Sequence, residues 1–494
     1  MSKDRADGLV LALDLGSSST RAALFDQRAR RLPQTDATAT YTIRYTADGG
    51  AELSPPTLRR AVVHCLRSSL KSHERQRQLR RSPVIALAVS SFWHGLLGVD
   101  RQWRPVTPIY TWADARAKDG ARRLRENLSE REVHARTGCM FHSSFWPAKL
   151  TWLRRNHARL FRRAAFWVSP IDWIFHELFG TRASSASMAS GTGLYNFRLG
   201  AWDAELCAAC HVHPEQLPIL RKHVTAAARP SGLPWEARIF TAIGDGAAGN
   251  LGSGADVPGV AAINVGTSAA VRIITQSHRR RGVPPGLFRY VVDDECCVLG
   301  GAVSNAGNLR QWALRELRIG EDAQTQRRIF SRNAAARDTL IALPFWAGER
   351  APTWPDQQLG VIDGLNQTTS ATDLLRVLST SVFYRLAQIL DLLAQAEGSP
   401  GRIIVSGGIL QSPAAVRLLA DAIGRDVQAA REQEASLRGA AIYALQQLGI
   451  TVPRSAAGRL IRHDRHLAAS HRQRRHRQIE LERVLAERAA ADLA

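Results

Sequence analysis

Cysteine, methionine and acidic side chains are all scarce in this chain. There are 3 methionines and 6 cysteines among 494 residues. Cys65, Cys139, Cys207, Cys210, Cys296 and Cys297 are too few and too scattered for a disulfide scaffold, so reduced thiols are expected. Cys207-Ala-Ala-Cys210-His211, with His213 beyond, has the form of a haem or metal site, but ligands this close together are cramped. A helix–loop junction with buried thiols is the preferred reading there. No run approaches the length of a membrane span, and Met1 to Gly8 lacks the layout of a signal peptide. The expected location is the cytoplasm. No Gly-x-x-x-x-Gly-Lys-Ser/Thr sequence occurs, which removes P-loop kinases. Asp and Glu number 44 against 66 Lys and Arg, a formal charge of +22 carried almost wholly by Arg. Apart from Arg279–Arg281 and Arg459–Arg477 the charge is spread along the chain, which suits attraction to anionic small substrates better than a nucleic-acid stripe.

What the chain does have, first, is Leu9 to Asp26, two apolar strands joined by a tight turn of Gly16, Ser17, Ser18 and Ser19. Glycine and hydroxyls beside a row of backbone N–H groups make a turn able to hold an anion. Asp14 at its mouth would repel a bare phosphate unless a divalent cation lay between them, which points to magnesium and a nucleotide. The pattern returns half a chain later at Val260 to Ile274, with Asn264 in the place of Asp14 and Gly266-Thr267-Ser268 in the place of Gly16-Ser17-Ser18. Such a repeat implies two similarly built lobes whose turns face each other across a cleft.

Between the repeats, Pro83 to Ser90 reads as a buried strand that delivers Ser91-Phe92-Trp93-His94-Gly95 to its carboxyl end, where open α/β sheets bind ligands. Trp112, Asp114 and Arg116 alternate, so an extended chain would project all three to one side and suit a polyhydroxylated ligand. Ser184 to Gly193 reads as a loop. Asp245 is a lone carboxylate flanked by glycines that leave it unobstructed at a strand end, and it is also able to cap the helix that follows. Later come the charged pair Glu349-Arg350, a long apolar helix from about Thr372 to Gly398, and the turn Ser406-Gly407-Gly408. Ser412 and Pro413 then open a helix. Beyond Gly449 the chain turns basic, ending in a Glu/Arg-laced helix.

These pieces resemble the FGGY family of carbohydrate kinases, over Leu9 to about Gly449. DLGSSSTRAALFD and INVGTSAAVR resemble its two phosphate motifs, VSGGILQSPAAVRLLADAIG its adenosine motif, and AIGDGAAGNLGSG the segment carrying its catalytic aspartate. Trp93-His94, PFWAGERAPTWPD and GDGAAGNLGSG look most like the gluconokinase-type branch, with xylulokinase next. The resemblance implies an α/β fold of two ribonuclease H-like lobes, of the actin, Hsp70 and sugar-kinase kind, around a central cleft. The lobes would be residues 1–251 and 252–452, followed by a basic helical extension, 453–494.

By the same resemblance Asp245 is the catalytic base and Asp14 the magnesium ligand. Gly16, Ser17, Ser18, Gly266, Thr267, Gly307, Gln311, Gly407, Gly408 and Ser412 border the nucleotide. Trp93, His94, Trp112, Asp114, Arg116 and Asp245 border the sugar. The implied partners are ATP, Mg2+ and a sugar or sugar acid, with a homodimer allowed and neither membrane nor nucleic acid expected. A gluconate pocket should offer the carboxylate a cation or several N–H donors at the end remote from Asp245, and His94, Arg116, Lys149 and Arg198 are the candidates. A sugar sensor that kept the fold, and an actin-like or chaperone ATPase, are the rival readings.

Overall fold

The structure is a computed structural model and describes residues 8–229, 232–276, 282–320, 322–331, 339–346, 348–356, 358–432, 434–455 and 458–491. The basic run Arg279–Arg281 lies outside the described residues. Two sheets form the cores. In the first, Leu9–Leu15 lies between Ser19–Phe25, antiparallel, and Val84–Ser91, parallel. In the second, Val260–Val265 lies between Ala269–Gln276, antiparallel, and Arg402–Ser406, parallel. Leu9–Leu15 is buried at every position, which explains why its sequence shows no polar alternation.

The repeat reaches the side chains. Asp14 pairs in register with Ser90, and Ser90 Oγ donates to Asp14 Oδ1 at 2.7 Å. Asn264 pairs in register with Ser406, and Asn264 Nδ2 donates to Ser406 Oγ at 3.0 Å. Changing the acid to its amide reverses the direction of the bond and leaves the frame unchanged.

Two helices join the lobes. Asp245–Ser253 follows the first sheet, and Ala435–Gln447 from the far end of the chain packs on it and on the first-lobe strands. A Cβ on Gly439 would lie 1.8 Å from the Ala248 carbonyl oxygen, and one on Gly252 the same 1.8 Å from that of Ala435. Only glycine permits so close a crossing.

Several local expectations change in the structure. Ser184–Gly193 is not an open loop: Ala186–Ser190 is a short helix capped by Ser185 and largely buried. Cys207 and Cys210 end the Ala204–Ala209 helix as buried thiols, and burial pushes both up, Cys207 to about 12. The Ala371–Glu397 helix is long and apolar enough to cross a membrane, against the expectation that no run is, but 72% of its most apolar window is buried inside the fold.

The basic C-terminal segment does not stand apart. Leu460–Ile461 adds an edge strand to the second sheet, and Arg465–Ala491 packs along Pro413–Ile423, Ile341–Leu343 and Ala371–Glu397. His471 Nδ1 meets the Tyr384 hydroxyl at 2.8 Å, and Gln478 Nε2 donates to Ala342 O and Ser381 O at 2.8 and 3.1 Å. The exposed face keeps the expected charge pairs, Arg483 with Glu480 and Glu487.

Candidate active site

The Gly407-Gly408 turn meets Asp14, Asn264 and Gly266 in the wall of a cleft of about 1090 Å³; Gly16, Ser17, Ser18, Thr267, Gly307, Gln311 and Ser412 do not line it. In the first turn Gly16 N donates to Ser19 O at 2.9 Å, and the Tyr41 hydroxyl donates to Gly16 O at 2.6 Å. Ser18 is left exposed. In the second, Gly266 N donates to Ser268 O at 2.9 Å. Gly307 N donates to Gly266 O and Asn308 N to Thr267 O, so the start of the Gly307–Glu316 helix is docked on this turn. A Cβ on Gly307 would come within 2.5 Å of Gly266 O, and Gln311 is exposed one turn further along. Gly407 has φ of +91° and leaves only 2.5 Å between an added Cβ and Val265 O, two independent reasons for glycine. Ser412 spends its hydroxyl capping Pro413–Ile423, accepting from Ala415 N at 3.3 Å.

Asp14 is buried beneath the cleft. Burial pushes its carboxyl up to about 6, the Ser90 bond opposes this, and the charge of Asp245 adds to it. A buried carboxylate raised by burial and by a second carboxylate welcomes a cation. Among the described residues no group of three or more His, Cys, Asp or Glu side chains exists to enclose one. That donor set fits magnesium, which keeps several waters and shares phosphate oxygens.

Asp245 is the first residue of its helix. Its Oδ1 accepts from Gly246 N at 2.8 Å, and its carboxylate also accepts from the Trp93 backbone. Burial raises its pKa, while Arg272 and then Arg350 act against that. A desolvated carboxylate held by backbone donors beside a nucleotide-sized cleft is equipped to take a proton.

The FGGY carbohydrate kinase N-terminal domain model matches residues 9–252, and the C-terminal domain model matches residues 261–448. The chain belongs to the FGGY family of carbohydrate kinases. It is a phosphotransferase that uses ATP on a carbohydrate. The kinase is 28% identical over 461 residues to a gluconokinase of Bacillus subtilis, covering 89% of this chain and 88% of that one. Its fold matches a gluconate kinase from Lactobacillus acidophilus with a TM-score of 0.85 at 24% identity, over 97% of this chain and 98% of the other. A xylulose kinase from the same organism matches at 0.86 and 24%, over the same shares of the two chains.

On the sugar side of this FGGY kinase the structure corrects several expectations. Trp93 is 3% exposed, its Nε1 donates to Ser187 O at 3.0 Å, and its ring lies 4.6 Å from Tyr290. The glycines around Asp245 make room for this indole rather than leaving the carboxylate open: a Cβ on Gly244 would sit 1.7 Å from Trp93 Cε2, and one on Gly246 2.6 Å from Cζ3. His94 takes φ of +68°, with Nδ1 2.5 Å from Gly191 O. Burial, then Arg350, keeps it neutral, so Nδ1 carries the proton and Nε2 is an acceptor.

Residues 111–117 form turns, not an extended strand, so Trp112, Asp114 and Arg116 do not project together. Asp114 accepts from Ala51 N at 3.1 Å and from the Arg116 guanidinium, which also reaches Glu52. Trp112 instead lies under the Arg350 guanidinium, 5.0 Å from its ring centroid.

The four cations nominated for a carboxylate are occupied or displaced. Arg116 is committed to Asp114 and Glu52, Arg198 is exposed, and His94 is neutral. Lys149 Nζ donates to His94 O at 2.9 Å and Thr111 O at 2.7 Å, stitching the two sugar-side segments together. Arg272, Tyr290 and Arg350 were missed. Arg272 was readable as the one charge inside the apolar strand after the second turn, and Arg350 as half of the Glu349-Arg350 pair.

Burial lowers the Lys149 pKa to about 7 from an unfolded value near 10.5. Between those values the unfolded chain holds a proton the folded chain lacks, so stability at this position rises with pH. Relative to Lys149→Met, the parent is expected to gain up to about 1.4 kcal/mol per pH unit above pH 7. Urea unfolding of both proteins from pH 7 to pH 9 measures this, and a constant difference would show that Lys149 keeps its proton when folded.

Proposed function

We propose that the kinase phosphorylates a sugar-acid hydroxyl, gluconate first among the acceptors. We take 1–251 and 252–452 as the lobes, with 453–494 an extension whose Leu460–Ile461 strand and Arg465–Ala491 helix pack on the second. Asp245 accepts the hydroxyl proton as that oxygen attacks the γ-phosphorus of ATP. The bond from γ-phosphorus to the bridging oxygen breaks, and ADP leaves. Asp14 would hold a magnesium ion, which when bound would neutralise charge at the phosphates. The two repeat turns present backbone N–H groups and hydroxyls to the phosphates. His94 Nε2 accepts a hydrogen bond from the sugar.

The observation that carries the reading is the half-buried Asp245 carboxylate, backbone-anchored, acted on by the charges of Arg272 and Arg350, and tied to the cleft through Ser436 and Asp14 of its wall. Similarity to gluconokinases supports the sugar acid. Xylulose is the second reading, because the xylulose kinase fold matches equally well.

An ADP-coupled panel of gluconate, xylulose, ribulose, fuculose and glycerol tests it. A ketose exceeding gluconate tenfold or more in kcat/KM removes gluconate and leaves the kinase. ADP release without sugar points to the ATPase rival, and sugar binding without turnover to the sensor. Asp14→Ala is expected to show a rate defect that shrinks as magnesium is raised, measured as kcat across a magnesium titration. A defect indifferent to magnesium assigns Asp14 a structural role.

A further inference from the structure

The cleft of about 1090 Å³ is larger than the roughly 300–1,000 Å³ that one drug-sized ligand takes. Asp14, Asn264, Gly266 and Gly407 wall it where the proposed function puts the phosphates of ATP, and Arg417, Arg431 and Arg459 wall it as well. The sheet order Val260–Val265, Arg402–Ser406, Val427–Ala429, Leu460–Ile461 sets Arg459 apart from those phosphates. It leads into the edge strand, three strands from Asn264, which is roughly 14 Å at about 4.8 Å per strand. Ala429 N donates to Arg459 O at 3.0 Å, so Arg459 is held opposite Ala429, and Arg431 follows two residues beyond it. Arg417 comes from the Pro413–Ile423 helix, which packs on the same edge strand. Three separate elements thus bring guanidiniums to one concave wall.

All three side chains are exposed, and among the described residues none makes a hydrogen bond or ion pair. The carboxylates of the cleft wall are engaged elsewhere: Asp14 with Ser90, Glu434 with Arg21 at 2.5 Å, and Glu432 with Arg438 at 3.7 Å. A smaller cavity of about 190 Å³ shares Ala429, Ala430, Arg431 and Glu432 with this wall and adds Arg402, whose Nε is enclosed and has no hydrogen-bond partner. Ribose and base carry no charge, so ATP seated by its phosphates at the turns leaves these cations uncompensated. Guanidiniums match a phosphoryl group through forked, charge-assisted hydrogen bonds. We infer that Arg417, Arg431 and Arg459, with Arg402 behind them, form a second anion subsite that takes the phosphoryl group of a small phosphate or phosphate ester while ATP occupies the turns. This rests on the reading that places the ATP phosphates at the turns. It also gives a binding role to the C-terminal extension, because Arg459 lies beyond the family match that ends at residue 448.

The test is calorimetric titration of inorganic phosphate into the kinase saturated with magnesium and a non-hydrolysable ATP analogue, whose γ-phosphate already fills the transfer position. The parent is expected to bind phosphate, and Arg431→Gln and Arg459→Gln each to bind it about tenfold or more weakly, the effect of losing a charge-assisted hydrogen bond. Arg477→Gln removes the same charge from an exposed position outside the cleft wall and should bind as the parent does. KM for ATP should stay within about threefold in all three variants. Repeating the titration with the phosphorylated product of the best acceptor in the panel separates two sources of the same group. Tighter binding than phosphate, lost in the cleft variants, identifies the sugar phosphate; binding no tighter identifies free phosphate; either supports the subsite. No phosphate binding with the analogue in place, or equal affinity in the parent and the cleft variants, overturns the inference. If phosphate binds only without the analogue and KM for ATP rises tenfold in the cleft variants, the guanidiniums hold the triphosphate itself, and the reading of the turns falls with the subsite. A parent inert towards every sugar overturns the proposed function and leaves the phosphate titration standing.

Discussion

Asp245→Asn is expected to lower kcat by about 100- to 10,000-fold, the range for loss of a positioned general base. The substitution is nearly isosteric. Asn Oδ1 can still accept from Gly246 N and the Trp93 backbone, so the helix start and the indole beneath it should stay in place. Removing the charge also removes a desolvation penalty, so the variant should unfold no more easily than the parent. ADP binding, titrated directly, should be nearly unchanged. In the parent, burial outweighs the two guanidiniums, so the acid limb of kcat/KM should lie above the ordinary carboxylate range. That limb should vanish in the variant. Turnover within tenfold of the parent would remove Asp245 from proton transfer.

Arg385→Met is expected to cost about 3–5 kcal/mol in stability, the range for breaking a buried ion pair from one side. The Arg385 side chain is fully buried and Glu482 is 8% exposed. The pair links the long core helix to the C-terminal helix, Arg385 Nη2 donates to Thr353 Oγ1 at 2.7 Å, and Thr353 also bonds Glu482. Methionine would strand a buried carboxylate, so chemical unfolding should show the whole loss. The double variant Arg385→Met with Glu482→Met should recover most of it, because replacing both charges by apolar groups is often neutral. A single-variant loss below about 1 kcal/mol would place the pair in the weak class of solvent-exposed bridges. Thr353 lies three residues after Arg350, so the C-terminal helix also braces the loop that carries Arg350.

Glu482 marks where reading from sequence alone stops. The segment after Gly449 reads as charged and basic, and its exposed pairs Arg483–Glu480 and Arg483–Glu487 follow from helical spacing. Nothing local distinguishes Glu482 from Glu480, and only the packed neighbour 97 residues earlier makes one structural and the other a surface charge.

The sequence by itself determined the parts governed by short-range chemistry. These are the glycine and hydroxyl turns, the Ser412-Pro413 helix start, the apolar strands around Asp14 and Asn264, and the half-chain repeat that implied two lobes. Each depends on backbone conformation, caps or periodicity within a few residues. Tertiary structure alone decided which charges became partners. It tied Arg116 to Glu52 and Lys149 to two carbonyls, laid Trp93 over the glycines around Asp245, and brought Arg272 and Arg350 beside that carboxylate. Such pairings cross tens to hundreds of residues, and they are set by which side chains are desolvated together when the sheets and helices pack.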